Sequence, residues 1–358
     1  MYGPRAAKGW LFVGMTVALL SSLALGLATV HDSAPVHVVS FGVNMHPLQD
    51  NYDVYPPTQT LRLASEIGAS VVRIDIHWGW IQYLRSGRES WDAQQVQHLD
   101  RFVAEAARRH IQVMATVLDT PCWASNEAAG QCSPPSAQYR GTHPPSNPQD
   151  YAHFLTRLIR HEGRRIRYYE IWNEPNLPRF WKHPDPVFYT KLLRAAYRAI
   201  KAQDPRAQVL AGALSGADVN FVNRMYESGA KGYFDALSLH PYTGDRSPDT
   251  CSVASKSFAC GLVAVHRIML RYGDQRPIWL TEFGVSVSEH ESATAQARYL
   301  MRAASLVKGW SYVQGAIWYE LYDDPTGHDG QHYGLFGGSL LPRPGATAFK
   351  LLAKEDNT

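Results

Sequence analysis

Short apolar runs rich in β-branched residues alternate with amphipathic stretches of helical period over most of the chain. This alternation is typical of βα units, in which each strand is followed by a helix that packs on a parallel sheet. The runs that have strand character are residues 39–46, 70–77, 112–118, 167–172, 208–214, 236–240, 277–282 and 315–320. The helical stretches that follow them are residues 58–67, 92–110, 147–162, 186–203, 217–228, 262–272, 292–308 and 346–353. Eight successive pairs predict an α/β fold of the (β/α)8 TIM barrel type.

A doubly wound open sheet produces a similar alternation of strands and helices. Its nucleotide-binding members have a glycine-rich turn after the first strand, and the segment from Val43 to Pro47 contains no glycine. The barrel is therefore the preferred fold. The long stretch 120–147 is rich in Pro, Ser and Gly, which predicts a loop above the functional face of the barrel.

The N-terminus has the pattern of a targeting segment. Residues 10–30 carry no charge and follow Arg5 and Lys8, and at about 1.5 Å per residue they are long enough to cross a bilayer core. Their length favours an uncleaved signal anchor, while Gly26 and Ala28 leave a cleaved signal peptide open. We thus divide the chain into a cytoplasmic basic region 1–9, the anchor or signal peptide 10–30, a linker 31–38 and the catalytic barrel 39–358.

Export follows from this division under both readings. The barrel would lie on the periplasmic or extracellular side of the membrane, anchored there or secreted if the segment is cleaved. Four cysteines in two locally spaced pairs agree with an oxidising compartment, and they predict disulfides Cys122–Cys132 and Cys251–Cys260. Free buried thiols are the alternative.

Composition and charge exclude several classes of function. The formal net charge is only +3, with acidic and basic residues interspersed, so nucleic acid is not an expected partner. The chain has neither a CxxC pair, nor the second histidine of HExxH after His161 and Glu162, nor a GxSxG elbow. We therefore predict no metal and no cofactor.

Unusual polar residues fall at the carboxyl ends of the predicted strands, where barrel enzymes build their active sites. Glu174 ends the fourth strand, His240 the sixth and Glu282 the seventh, and Arg73 lies on the second. Glycoside hydrolysis requires two carboxyl groups, one protonated to donate to the leaving oxygen and one ionised to attack or to activate water. Glu174 and Glu282 can form such a pair, since the fourth and seventh strands face each other across a barrel.

The motifs Trp-Asn-Glu-Pro, His-Pro-Tyr and Thr-Glu-Phe-Gly at the ends of the fourth, sixth and seventh strands resemble those of the clan of retaining barrel glycosidases that includes cellulases, mannanases and β-xylosidases. The resemblance covers almost the whole predicted barrel. Within that clan the chain is most similar in length and N-terminal segment to the membrane-associated endoglycosidases of bacterial exopolysaccharide operons. The resemblance implies cleavage of β-glycosidic bonds in an exopolysaccharide or a plant-type glycan. Several Trp-bearing βα loops suggest an extended cleft, and they therefore indicate endo action.

The resemblance also assigns roles to residues. Glu174 would be the general acid/base, Glu282 the nucleophile, and Asn173 the neighbour that bonds the sugar 2-hydroxyl. The supporting residues would be Arg73 and Tyr242 beside the nucleophile, His240 in the sugar pocket, and Trp318 stacked beneath the sugar. Further candidates for sugar platforms are Trp78, Trp80, Trp123 and Trp181.

A second interpretation uses the same residues without the chemistry. A catalytically silent barrel would retain the aromatic rings and bind polysaccharide, or take part in its assembly. The presence of both glutamates favours the enzyme.

Overall fold

The computed structural model describes residues 38–48, 54–85, 88–125, 142–251, 257–288, 291–325 and 331–355, together with Met1 and Gly3. The chain divides into two compact units, Met1–Val36 and His37–Thr358. All elements described below belong to the second unit. The predicted basic region 1–9, apart from Met1 and Gly3, the segment 10–30 and most of the linker 31–38 lie outside the described residues.

The second unit is built around a closed barrel of eight parallel strands, which confirms the predicted fold class. Around the barrel the strands follow the order β1-β10-β9-β8-β7-β6-β5-β2. Their bounds are β1 Ser40–Met45, β2 Val71–His77, β5 Gln112–Leu118, β6 Ile166–Ile171, β7 Gln208–Ser215, β8 Ala236–His240, β9 Ile278–Phe283 and β10 Val313–Trp318. The strands β3 Gln82–Arg85 and β4 Arg88–Trp91 form a separate antiparallel hairpin.

Helices connect the strands on the outside of the barrel. Their bounds are α1 Pro57–Glu66, α2 Trp78–Ile81, α3 Ala93–Arg108, α4 Pro148–Glu162, α5 Pro186–Gln203, α6 Val219–Glu227, α7 Phe258–Arg271, α8 Ala293–Lys308 and α9 Pro344–Glu355. The sequence pattern predicts eight of these helices. It misses the short α2 and the hairpin, because both lie within a single βα connection that has no periodicity of its own.

Several helices begin at residues whose side chains satisfy the first free backbone N–H groups. Asp92, Asn147 and Asp185 each accept hydrogen bonds from the N–H groups two or three residues later, and prolines occupy the first turn of α4 and α5. Asn147 is also the first residue of the helical stretch 147–162 predicted from the sequence. These caps determine the residue at which each helix begins after the preceding strand.

The barrel interior changes character along its axis. At the amino ends of the strands it contains an apolar cluster that includes Val71, Met114, Leu210 and Trp279. Trp279 has space for its ring because its neighbour on β10 is Gly315, where a Cβ would lie 2.3 Å from the indole. Successive inward positions on β2 are Val71, then Arg73, then Asp75, so the interior becomes polar towards the carboxyl ends.

Two predictions that concern export can be compared with the structure. Within the described residues no helix is both long and apolar enough to cross a membrane, and the segment 10–30 is not among them. The disulfide Cys251–Cys260 is present, with the two Cα atoms 5.5 Å apart. The pair Cys122–Cys132 stays a prediction, because Cys132 lies outside the described residues.

We expect the Cys251–Cys260 disulfide to stabilise the barrel. The bond closes a loop with a sequence separation of nine residues, so replacing both cysteines by Ser should lower the free energy of unfolding by about 2 to 3 kcal/mol. Urea unfolding of the oxidised wild type and the double variant measures the difference. The same comparison under reducing conditions is the matched control, since both proteins then lack this bond and the difference should vanish; equal midpoints under oxidising conditions would contradict the prediction.

Candidate active site

Arg73 lies at the centre of the polar end of the barrel and is 1% exposed. Its Nε donates to Oε2 of Glu170 at 2.7 Å, and its Nη2 donates to Oδ1 of Asn173 at 2.7 Å. Its Nη1 donates to Oε1 of Glu282 at 2.8 Å and to Oδ1 of Asn44 at 2.9 Å. One guanidinium therefore connects side chains from β1, β6, β9 and the segment after β6.

Glu282 lies within β9, and hydrogen bonds hold both of its oxygens. Oε1 accepts from Arg73, and Oε2 accepts from the hydroxyl of Tyr242 at 2.9 Å. Burial and the charge of Glu282 raise the pKa of Tyr242 well above its usual value, so the phenol keeps the proton that it donates. The predicted contacts of Arg73 and Tyr242 with this carboxylate are both present.

Glu174 follows β6 in a backbone conformation that is uncommon for a residue with a side chain. Its φ is +41°, and its N–H donates to the carbonyl of Ala213 on the neighbouring strand at 2.9 Å. Its Oε1 lies 3.0 Å from Nδ1 of His240. An oxygen of Glu174 and an oxygen of Glu282 lie within 4.8 Å of each other, with a nitrogen of His240 in the same group.

The electrostatics of this pair are set by burial and by mutual charge. Burial raises the pKa of Glu282, and the negative charges of Glu174 and Asp75 raise it further, while His240 and Arg73 act in the opposite direction. Burial acts against protonation of His240, but the charge of Glu282 and the hydrogen bond with Glu174 outweigh it and raise the pKa of His240. His240 is thus a buried hydrogen-bond donor positioned between two carboxylates.

A second polar group adjoins Arg73, and we did not predict its full extent from the sequence. Nδ1 of His46, which follows β1, lies 3.3 Å from Asp75, and its Nε2 lies 3.6 Å from Glu320, beyond β10. Burial acts against the charged imidazole, but the hydrogen bond to Asp75 and the charges of Asp75, Glu320 and Glu282 raise the pKa of His46 to about 9. Burial raises the pKa of Asp75, but the contact with His46 and the charges of Arg73, His46 and His77 outweigh it and hold that pKa well below its usual range.

The structure corrects the role predicted for Trp318. Its side chain is 0% exposed, packs against Phe283 and Tyr299, and donates through Nε1 to the carbonyl of Tyr333 at 3.0 Å. An indole buried on all sides offers no face to a sugar. The next residue, Tyr319, is half-buried, and its ring makes edge contacts with the rings of Tyr242 and His46.

The other four tryptophans predicted as sugar platforms differ in their exposure. Trp78 and Trp181 are fully buried and belong to the core between barrel and helices, so neither is a platform. Trp123 is partly buried against that core. Trp80 is 44% exposed, and its ring stacks on the imidazole of His77.

An open cavity of about 630 Å³ adjoins the two glutamates on one side. It is lined by residues of the segments that follow β6, β7 and β8, among them Leu177, Ser215, Asp218 and Asp245. His240 and Tyr242 form part of the same wall. Since these two residues contact Glu174 and Glu282, the cavity lies beside the carboxylate pair.

Two groups among the described residues have metal-ligand atoms within 4.8 Å of one another, namely Glu174–His240–Glu282 and Asp100–His161–Glu162. In the first, the guanidinium of Arg73 already supplies a cation to Glu282. In the second, Nη2 of Arg165 lies 3.0 Å from both Asp100 and Glu162. An arginine side chain thus supplies positive charge to each of the two groups, Arg73 to the first and Arg165 to the second.

Sequence reasoning missed three residues that support the site, namely Asn44, Glu170 and Thr116. Asn44 bonds Arg73 and the carbonyl of Thr281, and Thr116 donates to Glu170 at 2.8 Å. Glu170 is 0% exposed and occupies an interior position of β6. A charged residue directly before the apolar end of a predicted barrel strand, here Ile171 and Trp172, is a signal of a buried ion pair, and it was available in the sequence.

Similarity to known proteins agrees with this geometry. The model of Glycosyl hydrolases family 39 matches residues 151–358. A β-xylosidase from Geobacillus stearothermophilus is 27% identical over an alignment of 218 residues, in a match that covers 55% of this chain and 43% of that protein. The match thus spans less than half the length of this relative.

Solved structures share the fold. A family 39 glycoside hydrolase from the gut symbiont Bacteroides cellulosilyticus WH2 superposes with a TM-score of 0.70 at 22% identity, covering 89% of this chain and 64% of that chain. A monomeric β-xylosidase from Caulobacter crescentus CB15 gives a TM-score of 0.67 at 20% identity, covering 88% and 68%. Because the family model matches more than half of the chain, the protein belongs to glycosyl hydrolase family 39.

Proposed function

We propose that the protein hydrolyses β-glycosidic bonds in a polysaccharide by double displacement, with retention of configuration. The observation that carries the proposal is the proximity of Glu174 and Glu282, which have oxygens within 4.8 Å of each other. Carboxyl groups about 5 to 5.5 Å apart suit direct attack on the sugar, whereas inverting enzymes keep them about 6.5 to 9.5 Å apart to admit a water molecule.

In the first step Glu282 attacks the anomeric carbon while Glu174 protonates the leaving oxygen. Arg73 and Tyr242 orient the two oxygens of Glu282 and stabilise its negative charge before attack. The proton on Glu174 passes to the leaving sugar, and a covalent glycosyl-enzyme forms.

In the second step Glu174, now ionised, accepts a proton from water as the water attacks the anomeric carbon. Glu282 leaves with its bonding electrons and becomes a carboxylate again. Proton transfer from the water thus returns Glu174 to its acid form, and two inversions give net retention. Asn173 follows β6 directly before Glu174, where its amide would bond the sugar 2-hydroxyl.

We propose further that cleavage occurs within the chain of an exopolysaccharide or a plant-type glycan. The open cavity beside Glu174 supports this, because a leaving group that is itself a saccharide must extend away from the acid into free space. Its wall contains the polar side chains Asp218 and Asp245, which suit a hydroxyl-rich ligand.

The location that we propose is outside the cytoplasm. The uncharged segment 10–30 and the flanking Arg5 and Lys8 support targeting to a membrane. The disulfide Cys251–Cys260 supports an oxidising compartment. We propose that the segment keeps the barrel attached to the membrane.

The two glutamates are expected to fail differently when altered. Glu282→Gln should abolish turnover of every substrate, because no glycosyl-enzyme can form. Glu174→Gln should spare the first step on an aryl glycoside whose leaving group needs no proton, and added azide should restore turnover as a glycosyl azide of retained configuration. Product analysis by NMR gives the anomeric configuration.

Two outcomes would contradict this assignment. An inverted first product would exclude double displacement, and azide rescue of Glu282→Gln instead of Glu174→Gln would exchange the roles. Labelling of Glu282 by a fluorinated glycoside inactivator provides an independent check and excludes the silent barrel.

The acidic limb of the pH profile should depend on Arg73. Activity needs ionised Glu282, so it is present above the pKa of Glu282 and lost as the pH falls through it. Arg73 lowers that pKa, so Arg73→Met should shift the acidic limb of kcat/KM to higher pH and reduce the maximum by about 100-fold or more. Arg73→Lys, which keeps the charge, is the matched control and should shift the limb less.

A merely structural role for Arg73 would lower the activity of both variants without moving the limb. Circular dichroism and thermal unfolding of the two variants show whether the barrel remains folded over the pH range used.

The membrane proposal is tested on the full chain expressed with its N-terminus. We expect the protein in the membrane fraction, released by detergent but not by salt, with residues 10–30 still present by mass spectrometry. Recovery of a mature protein that begins near Thr29 in the soluble exported fraction would exclude the anchor and favour a cleaved signal peptide.

A further inference from the structure

An ordered surface lies at the edge of the barrel mouth, apart from the catalytic pair, and it consists of Trp80, His77 and Asp119. His77 ends β2, where it shares the inward face with Arg73 and Asp75. A strand rises about 3.3 Å per residue, so His77 lies about 13 Å beyond Arg73 towards the opening. This distance is too great for a single sugar bound over Glu282 to cover both residues.

Several contacts hold the surface in place. Nδ1 of His77 lies 2.5 Å from Oδ2 of Asp119, and the side chain of His77 is nine-tenths buried. The ring of Trp80 stacks on the imidazole at 3.8 Å between centroids and 19° between planes. The neighbouring N–H of Gly79 donates to the carbonyl of Asp119 at 2.9 Å, which ties α2 to the end of β5.

Two features of this surface lack a structural explanation. Asp119 has a φ of +62°, which is uncommon for a residue other than glycine and recurs at functional positions. Nε2 of His77 is buried and has no hydrogen-bond partner among the described residues, and buried polar atoms in native proteins are normally bonded. A lone exposed indole would be unremarkable on a protein surface, but this one covers the hydrogen-bonded pair of His77 and Asp119.

The position of Trp80 relative to the carboxylates determines which part of a substrate it would meet. In the circular strand order β2 lies opposite β8. The open cavity beside Glu174 is lined by the segment after β8, so Trp80 and that cavity flank the catalytic pair from opposite sides. Glu174 protonates the leaving group, which therefore occupies the cavity, and the sugars that remain attached to Glu282 extend towards β2.

We propose that Trp80, with His77 and Asp119, forms a binding subsite for the second sugar on the non-reducing side of the cleaved bond. The exposed face of the indole would stack on the apolar face of that sugar, and the carboxylate of Asp119 would accept hydrogen bonds from its hydroxyls. This inference rests on the proposed function and deepens it. A second sugar bound there makes cleavage inside a chain the expected mode of action.

The test compares Trp80→Ala with Trp80→Phe, which keeps a ring, and with Leu270→Ala, which removes an exposed side chain from α7. The substrates are β-1,4-linked gluco-, manno- and xylo-oligosaccharides from disaccharide to hexasaccharide, and aryl glycosides of the matching monosaccharides. Trp80→Ala should lower kcat/KM on oligosaccharides that fill the subsite by about tenfold. It should leave the aryl monosaccharide glycosides unchanged, and early products should shift towards shorter lengths.

Two patterns would overturn the proposal. An equal loss on both substrate types would indicate a general defect, and no loss on either type would show that Trp80 contacts no sugar. Trp80→Phe should fall between the wild type and Trp80→Ala, while Leu270→Ala should match the wild type on every substrate. Thermal unfolding confirms that each variant is folded.

Binding separates failure of this inference from failure of the proposed function. Binding is measured by affinity electrophoresis through gels that contain soluble glucan, mannan or xylan. The proteins compared are Glu282→Gln and the double variant Glu282→Gln/Trp80→Ala, so the measurement needs no turnover. Weaker retention of the double variant supports the subsite even if the wild type cleaves nothing. Equal retention in all three gels overturns the subsite even if the wild type is an active hydrolase.

Discussion

The buried guanidinium of Arg73 is the interaction on which the site depends. An arginine charge removed from water is tolerated only when opposite charges and acceptors surround it, and removal of one partner of a buried pair costs about 3 to 5 kcal/mol. Here Glu170 and Glu282 supply the charge, and Asn44 and Asn173 supply neutral acceptors. The strand β1, the end of β6 with the residues after it, and the strand β9 are thereby held to one side chain, above the apolar cluster at the amino end.

This arrangement gives the two neighbouring carboxyl groups different partners. Glu282 is exposed to opposing influences, since burial and the proximity of Glu174 raise its pKa, whereas His240 and Arg73 lower it. Glu174 has no contact with Arg73 among the described hydrogen bonds and ion pairs, and its partner is His240. Because one cation contacts only one of the two glutamates, their environments differ, as acid and nucleophile require.

The fold was predictable from the sequence because each βα unit carries its own local signals. Strand alternation and caps such as Asn147 depend on near neighbours, so single-sequence reasoning reaches them. The carboxylate pair was predictable from motifs at strand ends. The short helix α2 and the hairpin after it were not, since they depend on the burial of Trp78 and Gln82, which hydrogen-bond each other, rather than on any periodic pattern.

The error at Trp318 has a simple geometric cause. Neighbouring residues on a strand face opposite sides, so an assignment that is off by one position exchanges a core side chain with a site side chain. Trp318 ends β10 facing the helices, against Phe283 and Tyr299, and Tyr319 faces the site. The resemblance to the clan predicts an aromatic residue at the end of this strand. Which of the two adjacent rings reaches the mouth of the barrel depends on the strand register, which the structure shows.

The mouth of the barrel is asymmetric, and this asymmetry gives a bound chain its direction. On the β2 side the groups are charged and ordered, with His46 between Asp75 and Glu320 and with His77 paired to Asp119. On the β8 side the wall is an open cavity next to His240 and Tyr242. Tight polar contacts suit the sugar that must be held through two chemical steps, whereas an open space suits the part that leaves after the first. In the proposed mechanism the acid Glu174 lies towards the open side, so the geometry that would select the proton donor would also determine which end of a bound chain departs.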